Sequence, residues 1–287
     1  MILKSQAQAK ICYTTSMLVM VDTGGTKTLI TGFGQDGIMG KIIKFPTPPD
    51  QDDYVALLRK TLQEEYSSDP VEVIVVALPG IVKDGVALWC NNLGWKNFDA
   101  FSALSGVLDG TPVLIENDAN LAGLAETHVL DPMPVSSLYV TISTGIGTGV
   151  ITSGHIDPGL RYSEGGRCLV EFNGEVREWE SFASGKAIYT TYGKFARDIT
   201  DEHTWKQIAD RISRGFLAIV PFVQPSVIII GGSIGTYFDK YGDQLETILR
   251  EKLPPHIACP KFIKAKHPEE AVIYGCYYYA IDYLADK

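Results

Sequence analysis

A buried-strand pattern that breaks at a glycine turn and resumes as a second strand occurs twice in this chain, near its start and again at mid-chain. Leu18 to Thr23 ends in Gly24-Gly25, Thr28 to Phe33 resumes as a strand, and Ile38 to Phe45 follows after Asp36-Gly37. Leu138 to Ser143, a turn at Thr144-Gly145-Ile146-Gly147, and Gly149 to Thr152 repeat the design. Short strands joined by Gly-rich turns predict antiparallel hairpins. Each hairpin is followed by helical spacing and then by apolar runs of strand length. In the first half these are Asp52 to Tyr66 (Val55, Leu58, Leu62), Val71 to Leu78 and Pro112 to Glu116, the last opening into a small-residue helix from about Asn117 to His128. In the second they are helices over about Glu178 to Arg197 and Thr204 to Phe222, then the strand Val227 to Ile230. Runs apolar on both faces suit parallel strands covered by helices. The shared order predicts an α/β protein of two lobes with a cleft between them. The lobes are expected at 1–117 and 118–270. A tyrosine-rich last helix, Pro268 to Leu284, is expected to pack back on the first lobe, carrying 271–287 with it. Phe45 to Pro49, Pro79-Gly80 and Asn91 to Trp95 read as loops.

Composition narrows the function classes. A net charge of −9 and the lack of a basic patch with interleaved aromatics argue against nucleic acid. The five cysteines are widely spaced with no CxxC pair, which argues against a disulfide framework and a zinc cluster, and Cys276 reads as a core filler. No run approaches the roughly 20 apolar residues of a membrane span. The apolar stretch Met17 to Val21 is too short for a signal-peptide core, so a cytoplasmic protein is expected, with Met17 an alternative start.

The glycine turns carry the chemistry. In Asp22-Thr23-Gly24-Gly25-Thr26-Lys27-Thr28 the glycines let successive N–H groups converge on phosphate oxygens, with Thr26 and Lys27 as further donors. Asp22, at the mouth of the turn, can hold a water of a Mg²⁺ ion. Ser143 to Gly149 repeats this design, and Gly231-Gly232-Ser233-Ile234-Gly235 follows a buried strand and opens a helix on the cleft rim. One such turn is usually only a hairpin; three in a two-lobed repeat point to phosphate. The P-loop spacing is absent, and Val150 stands where a dinucleotide fingerprint needs Gly or Ala.

DTGGTKT at 22–28, ENDANLAGLAE at 116–126, TISTGIGTGV at 141–150, ESFASG at 180–185 and GGSIG at 231–235 resemble the ROK family of sugar kinases, in the family's order and at about its spacing. The resemblance implies an actin-like ATPase fold of two ribonuclease-H-like lobes, with ATP and Mg²⁺ meeting a sugar in the cleft, and a homodimer. It implies nucleotide contacts at Gly24, Gly25, Thr26, Lys27, Thr144, Gly145, Gly147, Gly231 and Gly232. Sugar contacts carry over to Asn117, Asp118, Glu164 and Glu180, with Asn92 and Gly80 as weaker candidates. One departure stands out. The family's Glu-x-Gly-His and cysteine-rich zinc loop are here Glu164-Gly165-Gly166-Arg167 and a loop with Cys168 alone. Arginine cannot replace histidine as a zinc ligand, so no structural zinc is expected, and Phe172, Trp179 and Phe182 are expected to hold the loop by packing. Arg167 either enters the sugar site, where its fork suits an acid or phosphate group, or pairs with Glu164 or Glu171.

Phosphoryl transfer needs a carboxylate to take the sugar hydroxyl's proton. Asp118, at a strand end and helix start, is the expected base, kept ionised by the helix N-terminus; the competing use of such an Asp is helix capping. Paired carboxylates also suggest a glycosidase, but that leaves the glycine turns without a role. The alternative within the family is a non-catalytic sugar-sensing regulator. Such proteins carry a DNA-binding domain ahead of the first turn, and the 21 residues before Asp22 are too few for one.

Overall fold

The computed structural model describes residues 16–287 except 35, 91, 268 and 269. The expectations that fall on residues 1–15, and on Pro268 as the start of the last helix, lie outside the described residues. The first half holds β1 (Met17–Thr23), β2 (Lys27–Gly34), β3 (Ile43–Pro46), α1 (Gln51–Tyr66), β4 (Val71–Leu78), β5 (Ile81–Lys83), β6 (Val86–Cys90), β7 (Trp95–Asp99), α2 (Ala100–Leu104), β8 (Val113–Asn117) and α3 (Asp118–His128). The second holds β9 (Ser136–Ile142), β10 (Ile146–Thr152), β11 (His155–Ile156), β12 (Leu169–Phe172), β13 (Glu175–Glu178), α4 (Glu180–Ala183), α5 (Gly185–Tyr192), α6 (Glu202–Val223), β14 (Val227–Gly231), α7 (Gly232–Gly235), α8 (Gly242–Lys252), β15 (Lys261–Lys264) and α9 (Ala271–Ala285).

Two five-stranded sheets share one topology. Their orders are β3-β2-β1-β4-β8 and β11-β10-β9-β14-β15. In each, the first three strands in chain order pair antiparallel and the last two add in parallel. The strand alternation of period two divides each core. Ile74, Val76 and Leu78 of β4 pack with Tyr54, Leu58 and Leu62 of α1. Val73, Val75 and Ala77 face the other way, onto Ile273, Cys276 and Ala280 of α9 and Leu121 of α3. In the second sheet Val140, Ile228 and Ile230 meet α6 and α8, while Tyr139 and Ile229 meet Ala122 of α3 and Ala271 of α9. Thus α3 and α9 lie between the sheets. Gly275 lets the two helices touch backbone to backbone, since any Cβ there would collide with the Leu121 carbonyl. Among the described residues no helix is long and apolar enough to cross a membrane.

Several local expectations change. The predicted strand Ile38 to Phe45 shrinks to Ile43–Pro46, with one isolated bridge from Phe33 to Met39. The predicted helix over 178–197 breaks at Ser184-Gly185, because the Gly185 N–H leaves the helix to bond the Ser143 carbonyl at 2.6 Å. The stretch expected as loop after Pro79 contains the three-stranded sheet β5-β6-β7.

Candidate active site

The strand β8 delivers its last residue, Asn117, to the start of α3, and the side chains of this bend are mostly spent on shaping it. Asn117 Oδ1 accepts the Asn120 N–H at 3.0 Å, capping the helix, and Asn117 Nδ2 donates to the Gly80 carbonyl at 2.7 Å. Asn120 Nδ2 bridges Glu116 Oε1 (3.0 Å) and the Arg161 carbonyl (2.8 Å). Buried Glu116 is ion-paired with Arg161. Asp118 stands apart from this network. Among the described residues its Oδ1 accepts only the adjacent Ala119 N–H as a hydrogen bond, at 2.8 Å.

Burial, and then the charge of Asp22, push the Asp118 carboxyl up to about 7. This corrects the expectation that the helix N-terminus keeps it ionised: the N–H groups of Ala119 and of Asp118 itself oppose the rise but do not outweigh desolvation and a second carboxylate. Asp22 itself is raised to about 6 by burial, against the pull of Lys27. Glu164 is raised by burial, with Arg167 opposing and Glu180 reinforcing the rise. Neither Asp22 nor Asp118 forms an ion pair among the described residues, and such recessed oxygen ligands suit Mg²⁺, which binds through one or two carboxylates together with phosphate and water.

A cavity of about 600 Å³ opens in front of Asp118. Its walls bring together Gly80, Asn92, Asn117, Asp118, Thr144, Gly145, Gly147, Glu164, Arg167 and Glu180. The walls do not include Asp22 or Gly24 to Lys27. That first turn is closed by the Gly24 N–H on the Lys27 carbonyl (2.9 Å), held by Thr47 Oγ1 on the Gly24 carbonyl (2.8 Å), and its Gly25 lies against the Asn92 side chain. Gly231 and Gly232 are also absent from these walls; the residues that follow them, Ser233 and Ile234, line a second cavity of about 480 Å³. Tyr189 and Phe195 stack there with centroids 4.5 Å apart, Arg197 lies 4.8 Å over Phe195, and Tyr237 completes the apolar wall. Sequence reasoning missed this cavity, because its walls come from α5, the segment after it and the turn after β14, which only the fold brings together.

At the second glycine turn, Glu180 Oε2 accepts the Ile146 N–H at 2.7 Å, and a Cβ at Gly145 would collide with that carboxylate. Arg167 pairs with neither carboxylate expected for it. Its Nη1 donates to Glu178 Oε2 at 2.7 Å, its Nη2 lies 3.6 Å from Glu180, and its guanidinium stands 4.9 Å over the Trp89 ring. The β12–β13 register, with Leu169 opposite Glu178, explains the choice, while Glu171 is consumed at the hairpin turn by the Gly174 N–H. Where the family's zinc loop would stand there is this hairpin. Phe172 and Phe182 stack at 4.3 Å and Trp179 is buried against Phe216. Among the described residues no three His, Cys, Asp or Glu side chains are grouped to hold a metal ion.

The family model described as "ROK family" matches residues 18–282. The chain belongs to the ROK family. A fructokinase of Pediococcus pentosaceus is 25% identical over 260 residues, covering 84% of this chain and 86% of that one. An N-acetylmannosamine kinase of Escherichia coli is 29% identical over 245 residues, covering 75% and 82%. Among solved structures, a ROK hexokinase from Thermus thermophilus superposes with a TM-score of 0.76 at 24% identity over 94% of this chain and all of that one. A ROK family glucokinase from Streptomyces griseus, in complex with glucose and AMPPNP, gives 0.72 at 21% over 91% and 97%. A ROK family transcriptional regulator, a homologue of the E. coli MLC protein, gives 0.79 at 20% over 92% and 77%. These likenesses establish the two-lobed actin-like ATPase fold.

Proposed function

We propose that this ROK family sugar kinase transfers the γ-phosphoryl group of ATP to a hydroxyl of a hexose or amino sugar, with Asp118 as general base. The observation that carries the reading is Asp118's unspent carboxylate, facing a polar cavity that meets an aromatic-walled one at Ser143 and Thr144. The aromatic cavity suits an adenine between Tyr189, Phe195 and Tyr237, and the polar one suits a sugar. The fructokinase and N-acetylmannosamine kinase relatives, and the glucose and AMPPNP of the Streptomyces griseus structure, support this assignment of sugar and nucleotide.

In the step proposed, a sugar oxygen forms its bond to Pγ as the Pγ–O bond to ADP breaks. The bonding pair leaves with ADP, and the hydroxyl proton passes to Asp118. A base raised to about 7 is matched to this task near neutrality, being about half ionised and well able to hold the proton. Amides of the second glycine turn offset charge on the transferring group. Glu164, Glu180 and the remaining N–H of Asn117 hold sugar hydroxyls, and Asn92 closes the cavity beside Gly25. Mg²⁺, held by Asp22 through water, would neutralise phosphate charge when bound.

ADP release measured over a panel of hexoses and amino sugars, with ATP against polyphosphate, tests the reading. Turnover with one sugar and ATP is expected. Sugar binding without turnover under all donors would transfer the chain to the sugar-sensing regulators of the family.

A further inference from the structure

Three residues, Ser143, Thr144 and Lys186, line both cavities. Lys186 is the charged one of the three. It lies in the first turn of α5, whose cap is Ser184, with Ser184 Oγ accepting the Ala187 N–H at 3.2 Å. The Gly185 N–H on the Ser143 carbonyl, at 2.6 Å, ties that turn of helix to the second glycine turn. The backbone of Lys186 is therefore fixed at the passage between the cavities, while its side chain is exposed and forms no ion pair among the described residues.

The other cations around the two cavities are engaged. Arg167 is committed to Glu178 and Glu180. Arg177 and Arg211 flank the Phe172 ring, and Arg197 lies over Phe195. A ligand with its base among Tyr189, Phe195 and Tyr237 and its reacting end at Asp118 must cross the passage. The part of a nucleoside triphosphate that crosses is its chain of negatively charged phosphates.

We propose that Lys186 binds the donor's phosphate chain at this crossing, as a mobile point charge that follows the chain between the cavities. Lysine suits this better than arginine: a compact ammonium on a flexible stem neutralises phosphate without imposing a bidentate geometry. The proposal rests on the ATP-dependent reading above.

The test is binding and kinetics of Lys186→Met and Lys186→Arg beside wild type. Calorimetry with ADP and with adenosine reads the charge apart from the base. Lys186→Met is expected to weaken ADP about tenfold or more, the scale of one charge-assisted contact, and to leave adenosine affinity unchanged. The salt dependence of ADP binding should flatten in this variant. KM for ATP should rise with KM for the sugar unmoved, and Lys186→Arg should recover most of the ADP affinity. Unchanged ADP affinity in Lys186→Met overturns the proposal while wild-type turnover leaves the kinase reading standing. Equal losses of ADP and adenosine also overturn it, since they mark a packing defect. A wild type that binds neither ADP nor adenosine overturns both.

Discussion

Glu180 Oε2 accepts the backbone N–H of Ile146 at 2.7 Å, so a carboxylate of the polar cavity also fixes the shape of a glycine turn. A residue that only touched sugar would act on one substrate; Glu180, holding the turn, should act on both. Glu180→Ala is expected to raise KM for sugar and for ATP together. It should also cost about 1–3 kcal/mol of stability, because the Ile146 N–H loses its partner in a partly buried site. Glu180→Gln keeps an acceptor and should keep the stability. Steady-state kinetics on both substrates and urea melts of the two variants check this, and a rise in the sugar KM alone would assign Glu180 to the sugar only.

Asp118 governs two separable pH effects. In the proposed role of base it must be ionised, so kcat/KM should fall as pH drops below about 7. Asp118→Asn should keep the fold and lower kcat by about 10²-fold or more. Stability runs the other way. A carboxyl near 4 in the unfolded chain and about 7 in the folded one binds more protons when folded, so its contribution is fully present below about 4 and lost as pH rises through about 7. Asp22, raised to about 6, adds in the same sense. Without nucleotide, Asp118→Asn should therefore melt higher than wild type at pH 8, with the gap closing toward pH 4. Thermal scans across that range decide it; a variant less stable than wild type at pH 8 contradicts the burial argument.

The duplicated sheet was legible because hairpin, helix and apolar-run order survives without any matching of letters, and because a strand such as β4, apolar on both faces, has one common environment. The position of Asp118 followed from the same logic. Two hairpins were missed although each carries its turn in plain sight: Asp84-Gly85 and Asn173-Gly174 are Asx-Gly pairs with positive φ at both residues (51° and 80°, 58° and 81°), the pattern of a tight hairpin turn. Their strands are only three to five residues long, too short for alternation to register. The aromatic cavity left no linear trace, since Tyr189, Phe195 and Tyr237 meet only after α5 and α7 are placed. The partner of Arg167 was equally hidden, being set by the β12–β13 register rather than by nearness in sequence.

Arg167 lines the polar cavity and reaches from the second half of the chain to Trp89 on β6, tying that wall to the first half. Its ion pairs are partly solvated, worth at most about 1 kcal/mol, and the cation–π contact adds about 0.5–2 kcal/mol. Arg167→Ala should cost little stability and mainly raise KM for the sugar, by about tenfold, as Glu180 and Trp89 lose their common tether. Trp89→Phe retains a ring and should fall between. Equal KM values in wild type and Arg167→Ala would confine Arg167 to an idle surface pair.

The hairpin after Arg167 is held by packed rings. Trp179 is fully buried, its Nε1 donates to the Arg211 carbonyl at 3.3 Å, and a side chain at Gly215 would occupy its place. Phe172 and Phe182 stack beside it, under Arg177 and Arg211. If these rings do the work that zinc does in the family's usual loop, Trp179→Ala should cost about 3–5 kcal/mol, the range for emptying a large aromatic site. Removing zinc with a chelator, with Mg²⁺ supplied, should leave both melting temperature and turnover unchanged. Elemental analysis of purified protein together with chelator-treated melts tests the pair of outcomes. Stoichiometric zinc whose removal lowers the melting temperature would show that metal, and not Trp179, Phe172 and Phe182, holds the wall that carries Arg167 and Glu180.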